Sequence, residues 1–177
     1  DANLQTLGRH QAAIRELSTP VIRVHDQVLL LPLIGTIDSQ RAEQVMETVL
    51  AQDGIFHAAL EEVGGVKVIV AEDQTSVRLD GQDSLGREIV RRALAKLGKR
   101  PETAREALAA PADFVTKVKE HLDGEIKTLG KKAFTTLGVQ RAHPEIVWLV
   151  GALNWRTSYT QNQWKHAVES SFLAGMM

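Results

Sequence analysis

The chain has 177 residues, a formal net charge of −1 and no cysteine. This length is enough for one large or two small domains with their own cores. The absence of cysteine excludes disulfide frameworks, thiolate catalysis and cysteine-bound zinc, and the near-zero charge gives no sign of a polyanionic partner for the whole chain.

Targeting features are also missing from the sequence. No apolar run reaches the length of a transmembrane helix, and the first residues do not resemble a signal peptide. We therefore expect a cytoplasmic location and no membrane segment in this chain. The first residue is Asp1 rather than methionine, which leads us to expect a processed or excised piece.

The first part of the chain predicts a helix followed by two strands. Residues 1–18 form an amphipathic helix or linker, which ends before Pro20 because the residue preceding a proline avoids helical angles. The strands are Val21–Val24 and Val28–Ile34. The continuous apolar run of the second strand favours a central position, whereas Pro32 inside it favours an edge or a bulge.

Two helices at residues 39–50 and 54–63 come next. They are followed by a strand, a turn, a second strand and a helix. In the strand at 66–71, Val66, Val68 and Val70 alternate with Lys67 and Ile69, which is the period of a half-buried strand. The second strand covers residues 76–80. Apolar residues then recur every four positions in a helix over 84–98. Its other face carries Arg87, Arg91, Arg92 and Lys96.

The last part of the chain predicts only helices and their connections. Pro101 and Pro111 suit the first turn of a helix. Gly124 and Gly130 weaken the long helix that contains them, so we expect a bend there. The predicted elements are helices at 101–109 and 111–137, a helix that begins at Pro144, a loop at 154–159 and a final helix from about 161 to the end.

Four aromatic side chains of this last part of the chain are expected to be exposed unless they dock on the first part of the chain or on a second copy. Exposed patches of this kind usually mark an interface, so we predict a homo-oligomer. The four are Trp148, Trp155, Trp164 and Phe172.

Three pieces of the early sequence, Glu16–Ile22, Leu30–Ser39 and Arg41–Ala42, resemble the start of a STAS domain of the stressosome or anti-sigma-factor-antagonist type. The resemblance covers about residues 10–52. It implies that Ser39 is a phosphorylation site and that the module binds protein partners. A phosphate at a helix N-terminus meets free N–H groups and the positive end of the dipole. The alternative is that Ser39 only caps a helix.

A second resemblance begins near Gly54. The predicted element order of strand, helix, helix, strand, strand, helix is that of a type I KH domain, if Val28–Ile34 is its first strand. The pieces that resemble the KH domain of ribonuclease Y are Ala59–Glu62, Gly65–Val70, Val77–Gly81 and Arg87–Leu97.

A KH domain grips nucleic acid through a Gly-x-x-Gly turn between its first two helices. The matching turn here is Ala51, Gln52, Asp53 and Gly54, which lacks the first glycine. Asp53 adds a negative charge that repels phosphate. The resemblance therefore implies a degenerate site with weak binding of single-stranded RNA.

Further pieces of the C-terminal part resemble the entry into the HD metal-dependent phosphodiesterase domain of ribonuclease Y. The resemblance implies that His166 is the first ligand of a divalent metal site. Several convergent ligands are needed to hold a metal, and no His-Asp pair follows His166. We expect an incomplete site, no cofactor and no nuclease activity in this polypeptide alone. The pieces are His143–Glu145, Arg156–Tyr159, Gln161–Asn162, Lys165–His166 and Leu173–Gly175.

The two resemblances meet at residues 51–54. Either a degenerate natural KH domain or an engineered chimera without an evolved function would explain this seam, and we favour the chimera.

The predicted fold class is α/β (α+β), a KH-like small sheet with helices packed on it and an all-helical C-terminal part. The predicted domains are residues 1–18, 19–98 and 99–177.

Three functions remain open on the sequence. The first is a non-catalytic KH-like nucleic-acid-binding or assembly module resembling a fragment of ribonuclease Y. The second is a STAS-type regulatory module switched at Ser39. The third is an HD phosphohydrolase, against which the missing ligands argue.

Overall fold

The computed structural model describes residues 22–25, 28–32, 45–49, 54–72, 76–97 and 101–177. They form the α+β fold that the sequence predicts, a four-stranded sheet with helices and a helical C-terminal part. The elements of the sheet part are β1 (Ile22–His25), β2 (Val28–Pro32), α1 (residues 45–49), α2 (Ile55–Gly64), β3 (Lys67–Val70), β4 (Ser76–Asp80) and α3 (Ser84–Leu97).

The C-terminal part is helical except for one small hairpin. Its elements are α4 (Pro101–Ala109), α5 (Pro111–Thr136), α6 (Pro144–Ala152), a 3₁₀ turn (Leu153–Trp155), β5 (Thr157–Ser158), β6 (Gln161–Asn162) and α7 (Gln163–Gly175). Across the part of the chain that the structure describes, no helix combines the length and apolar character needed to cross a membrane.

The four-stranded sheet is antiparallel throughout, with the strand order β1-β2-β4-β3. β2 lies between β1 and β4, as its continuous apolar sequence predicts. Pro32 is the last residue of β2 and pairs with Ser76 at the start of β4. The apparent conflict in the sequence is thereby resolved, because a proline at the end of a strand does not interrupt the ladder within it.

β3, β4 and α3 bury the faces that their periods predict. Val68, Val77 and Leu79 are buried, while Lys67 and Arg78, which alternate with them, are exposed. α3 contributes a buried stripe that contains Ile89, Val90, Ala93, Leu94 and Leu97.

Arg87 departs from the predicted outer face of α3. Its side chain is only 4% exposed and donates a hydrogen bond to the carbonyl oxygen of Gly81. The reason is its position in the first turn of α3, where the chain leaving β4 passes beside the helix. The helical period alone does not account for that neighbouring segment.

The long helix α5 closes the core. Its buried side chains belong to one hydrophobic cluster with those of β3, β4, α2 and α3. The Phe56 ring of α2 and the Phe114 ring of α5 meet there, with centroids 6.1 Å apart and a tilt of 54°. The other α5 residues in the cluster are Val115, Val118, Leu122 and Ile126.

Two glycines let α5 and α6 touch backbone to backbone. A Cβ at Gly130 would overlap the carbonyl oxygen of Val147, and a Cβ at Gly151 would overlap that of Ile126. The sequence predicts that glycine weakens α5, yet the helix runs unbroken from Pro111 to Thr136. Gly130 therefore allows α5 and α6 to cross at close range.

The three tryptophans contact other elements of the chain, and Trp164 contacts α5 instead of the first part of the chain. Trp148 and Trp155 pack against the core cluster. The indole N–H of Trp164 donates to the Leu129 carbonyl oxygen of α5 over 3.2 Å. Phe172 stays 57% exposed on α7. Self-association stays a prediction.

We predict that Gly151→Ala lowers the free energy of unfolding by about 1–3 kcal/mol, because the added methyl group forces the α5 and α6 backbones apart. Gly124→Ala is the matched control. Gly124 lies inside α5, and no described residue comes within 4 Å of its Cβ position. Alanine there should stabilise by up to about 1 kcal/mol. Thermal unfolding of both variants measures the two effects. A Gly151→Ala protein as stable as wild type would contradict the close crossing.

Candidate functional site

Only the last residue of the predicted nucleic-acid turn lies in the part of the chain that the structure describes. Ala51, Gln52 and Asp53 lie outside it, as does Ser39. Gly54 directly precedes α2 with φ 77°, a left-handed conformation that glycine adopts without strain. Among the residues that the structure describes, none comes within 4 Å of its Cβ position.

Side chains of α2 cap β3, the last strand in the order of the described sheet. The Val68 N–H donates to Glu61 Oε1 over 2.8 Å, and His57 Nε2 lies 2.6 Å from the Val68 carbonyl oxygen. Unpaired groups on an edge strand attract further strands. At Val68 both groups are occupied by α2, while the side chains of Lys67 and Ile69 point outward and are exposed.

Two arginines of α3, Arg91 and Arg92, are held by carboxylates. Glu88 accepts two hydrogen bonds from Arg91 and one from Arg92, each 2.7 Å long. The two terminal nitrogens of Arg92 also donate to the Glu125 carboxylate of α5, at 2.7 and 2.8 Å. The guanidinium carbon of Arg92 lies 5.8 Å from the centre of the Trp155 ring, a cation–π distance.

This network lowers the pKa of both carboxylates. Burial raises the pKa of Glu88, but the hydrogen bonds and charges of Arg91 and Arg92 together outweigh it and bring it below the ordinary value of 4.5. The hydrogen bond from Arg92 lowers the pKa of Glu125 against the opposing effect of burial. The same bond with Glu125 is the main cause of the raised pKa of Arg92.

A short hairpin between α6 and α7 holds Tyr159 at its tip. Thr157 pairs with Asn162 and Ser158 pairs with Gln161, so Tyr159 and Thr160 form a two-residue turn. Their φ angles are 48° and 64°. Two positive φ angles define a type I′ turn, which Asn-Gly and Asp-Gly pairs favour. A β-branched residue such as Thr160 is strained in this region.

Hydrogen bonds at its base hold this hairpin in place. Asn162 Nδ2 donates to the Asn154 carbonyl oxygen over 2.8 Å, and Asn162 Oδ1 caps α7 by accepting from the Lys165 N–H at 3.0 Å. The Gln163 N–H donates to the Arg156 carbonyl oxygen, also at 3.0 Å. The turn is thus tied to the elements before and after it.

His166 lies in the first turn of α7 with an exposed side chain. Among the residues whose positions are described, no group of three or more His, Asp or Glu side chains is placed to hold a metal ion. The role of His166 as a metal ligand stays a prediction. His143, the other histidine nearby in sequence, caps α6 by accepting from the Glu145 N–H at 3.4 Å.

Sequence reasoning missed two features of this region. It assigned residues 154–159 to a loop, because Tyr159-Thr160 contains none of the residues that typically mark a hairpin turn. It also missed the contact of Arg92 with Glu125, since the two are 33 residues apart. No pattern within either helix marks that pair in advance.

The fold and the described sites define a small α+β module with a helical extension. The chain is 34% identical over 136 residues to ribonuclease Y of Pelobacter propionicus, which covers 77% of this chain and 26% of that protein. It is 35% identical over 135 residues to ribonuclease Y of Alkaliphilus metalliredigens, covering 76% and 28%. These similarities confirm the resemblance to ribonuclease Y.

Ribonuclease Y of Clostridium perfringens is 31% identical over an alignment that covers 96% of this chain and 36% of that protein. The chain thus spans about a quarter to a third of the length of the curated relatives it matches. No protein-family model matches the chain, and no solved structure matches it.

The Clostridium perfringens alignment also bears on the predicted seam at residues 51–54. Because it covers 96% of the chain, it includes most of residues 10–52 as well as the residues after the seam. One relative therefore matches both sides of the seam. The comparisons give no support to the STAS resemblance or to a chimera.

We predict that Arg92→Met destabilises the protein at about pH 7 by about 1.5–3 kcal/mol, because the two hydrogen bonds to Glu125 on α5 are lost together with one to the partly buried Glu88. Arg91→Met is the control. It removes bonds within α3 only and should destabilise by less than about 1 kcal/mol. Urea unfolding measures both losses, and equal losses would contradict the link between α3 and α5.

The pH dependence of this effect has a defined sign. A carboxylate with a lowered folded pKa stabilises above its unfolded pKa and loses that contribution as the pH falls through the folded pKa. The stability gap between wild type and Arg92→Met should therefore shrink as the pH falls below the ordinary 4.5. A gap that stays constant down to about pH 2 would contradict this cause.

We predict that Thr160→Gly raises the free energy of unfolding by about 0.5–1 kcal/mol. The relief of a left-handed backbone, about 1–2 kcal/mol, exceeds the entropy that glycine adds to the unfolded chain. The melting temperature should rise by about 1–4 °C. Thr160→Ala keeps a Cβ and should bring no such gain. An equal gain from alanine would place the strain in the side chain instead of the backbone.

Proposed function

We propose that this chain is a non-catalytic, KH-like module that binds single-stranded RNA in a ribonuclease Y-type RNA-turnover protein. The observation that carries the proposal is the similarity to ribonucleases Y over 76–96% of the chain. The name of those relatives states that they act on RNA, and the same substrate class is proposed for the module described here.

The order of elements supports the KH-like part of the proposal. From β2 through α1, α2, β3 and β4 to α3, the chain follows the order strand, helix, helix, strand, strand, helix. Gly54, the last residue of the predicted turn, has a left-handed backbone, and no described residue lies within 4 Å of its Cβ position. A glycine in this place lets a nucleic-acid backbone come close. We propose residues 19–98 as this unit.

The non-catalytic part of the proposal rests on ligand geometry. An HD-type site needs several convergent ligands. Within the ranges that the structure describes, His166 has no such companions. We propose residues 99–177 as a linker and the first helices of an HD-type domain, which on their own do not cleave RNA.

Fluorescence anisotropy with a labelled single-stranded RNA tests the binding. We expect a dissociation constant of about 10⁻⁶–10⁻⁴ M that weakens between about 50 and 200 mM salt, since phosphate contacts release counterions. Duplex RNA of the same sequence should bind less tightly. No binding, or binding that does not respond to salt, would contradict the proposal. Loss of intact RNA in the presence of Mn²⁺ or Mg²⁺ would contradict its non-catalytic part.

Asp53→Asn tests whether the degenerate turn takes part. The substitution removes a negative charge from the predicted phosphate path and should tighten binding by about two- to fivefold. Asp113→Asn, in the first turn of α5, is the control and should leave the affinity unchanged. Equal effects of the two variants would point to net charge alone and remove the turn from the interface.

A further inference from the structure

We propose that Tyr159 is a stacking platform for an unpaired base of single-stranded RNA, with Arg156 and Lys165 supplying contacts to the neighbouring phosphates. This inference rests on the proposed RNA-binding function and locates a second contact, separate from the Gly54 turn. It follows from the exposure of the ring, the geometry of its turn and the charge of the surrounding sequence.

The first observation is exposure. The Tyr159 side chain is 94% exposed, and among the large hydrophobic side chains of the described residues only the chain-terminal Met177 is more so. Both faces of the phenol ring are therefore accessible. Every nucleobase also has a flat π-face, so an exposed ring can stack on a base of any sequence.

The second observation is the fixed, strained backbone beneath the ring. Tyr159 and Thr160 both have positive φ angles, although residues with a Cβ avoid them. Such a conformation persists only where its surroundings impose it, and it clusters at functional sites. The hydrogen bonds of Asn162 and Gln163 impose it here. The ring is thus carried on an ordered tip, which reduces the entropy lost on binding.

The third observation is charge. From Ile146 to Val168 the sequence contains no aspartate or glutamate, while it contains Arg156, Lys165 and His166. Arg156 stands at the base of the hairpin and Lys165 in the first turn of α7, and both side chains are exposed. Arg156 precedes Tyr159 by three residues, at most about 10 Å of extended chain. The charged side chains within this stretch of sequence are cationic, and Glu145 and Glu169 flank it.

Together these features fit a single-stranded polyanion with exposed bases. A duplex hides the faces of its bases within the stack, so it could contact the cations but not cover the ring. The proposal therefore commits to unpaired RNA. Stacking supplies an affinity term that is independent of salt, and Arg156 and Lys165 supply one that depends on it.

The single tyrosine of the chain makes the test direct. Protein labelled with 3-fluorotyrosine gives one ¹⁹F resonance, which reports on Tyr159 alone. On titration with single-stranded RNA, we expect this resonance to shift with the same midpoint that anisotropy gives. Anisotropy binding with an unmoved resonance would overturn the stacking proposal and leave the proposed function standing. Absence of anisotropy binding would overturn both.

Three variants complete the experiment. Tyr159→Ala should weaken RNA binding by about five- to hundredfold with an unchanged salt slope, and Tyr159→Phe, which keeps the ring, should restore the affinity to within about twofold. Phe172→Ala removes another exposed aromatic ring, 57% exposed on α7, and should leave binding unchanged. Equal losses from Tyr159→Ala and Phe172→Ala would overturn the proposal.

The salt dependence of RNA binding tests the phosphate contacts separately. Arg156→Gln and Lys165→Gln should each reduce the magnitude of the logarithmic salt slope by about 0.7, the value for one contact to a single strand. Thermal unfolding of each variant verifies that the hairpin and helices remain folded. An unchanged slope in both variants would remove these two residues from the proposed surface.

Discussion

The backbone contact between α5 and α6 is the constraint on which the C-terminal part depends. Gly130 and Gly151 let the two helices approach until a carbonyl oxygen occupies the place where a Cβ would stand. This approach positions the end of α6 and so the start of the hairpin. Trp148 and Trp164 then donate to Asp123 and to the Leu129 carbonyl oxygen, both on α5. The helix α5, which closes the core of the sheet part, thus also positions the hairpin.

A second connection, the network of Arg92 with Glu88 and Glu125, has a different physical character. The contact at the glycines is steric and insensitive to pH and salt. The ion network depends on two ionised carboxylates, and Glu125 is partly exposed to solvent. Arg92 also stacks on Trp155 and so reaches the 3₁₀ turn before the hairpin. The Arg92 guanidinium group and the crossing of α5 with α6 thus both contribute to the link between the sheet part and the hairpin.

The two proposed RNA contacts use left-handed backbone in opposite ways. Gly54 adopts it without strain, and the absence of a side chain leaves room for a phosphate backbone. Tyr159 and Thr160 adopt it despite their side chains, and the result is an aromatic ring held away from the protein surface. One contact suits the charged backbone of the nucleic acid, and the other suits its bases. Together they would distinguish single-stranded RNA from a duplex.

Local features of the sequence determined most of the secondary structure. Pro101 and Pro111 begin α4 and α5 where predicted, and the apolar period of α3 gives its buried stripe. The strand at Ser76–Asp80 also has its predicted bounds. These features depend on neighbours within a few residues, which a sequence displays directly. The similarity to ribonuclease Y was likewise visible in short stretches of residues.

Tertiary structure decided the features that depend on contacts with other elements. The sequence predicts Arg87 on an outer face, weakness at Gly130 and a loop at Tyr159, but each takes its role from a contact outside its own predicted element. Arg87 is buried by the segment leaving β4, and Gly130 meets α6. The turn at Tyr159 is imposed by the pairing of β5 with β6 and by the start of α7. The apolar period of a segment predicts the face on which each of its residues lies, whereas the packing of other elements decides what covers that face.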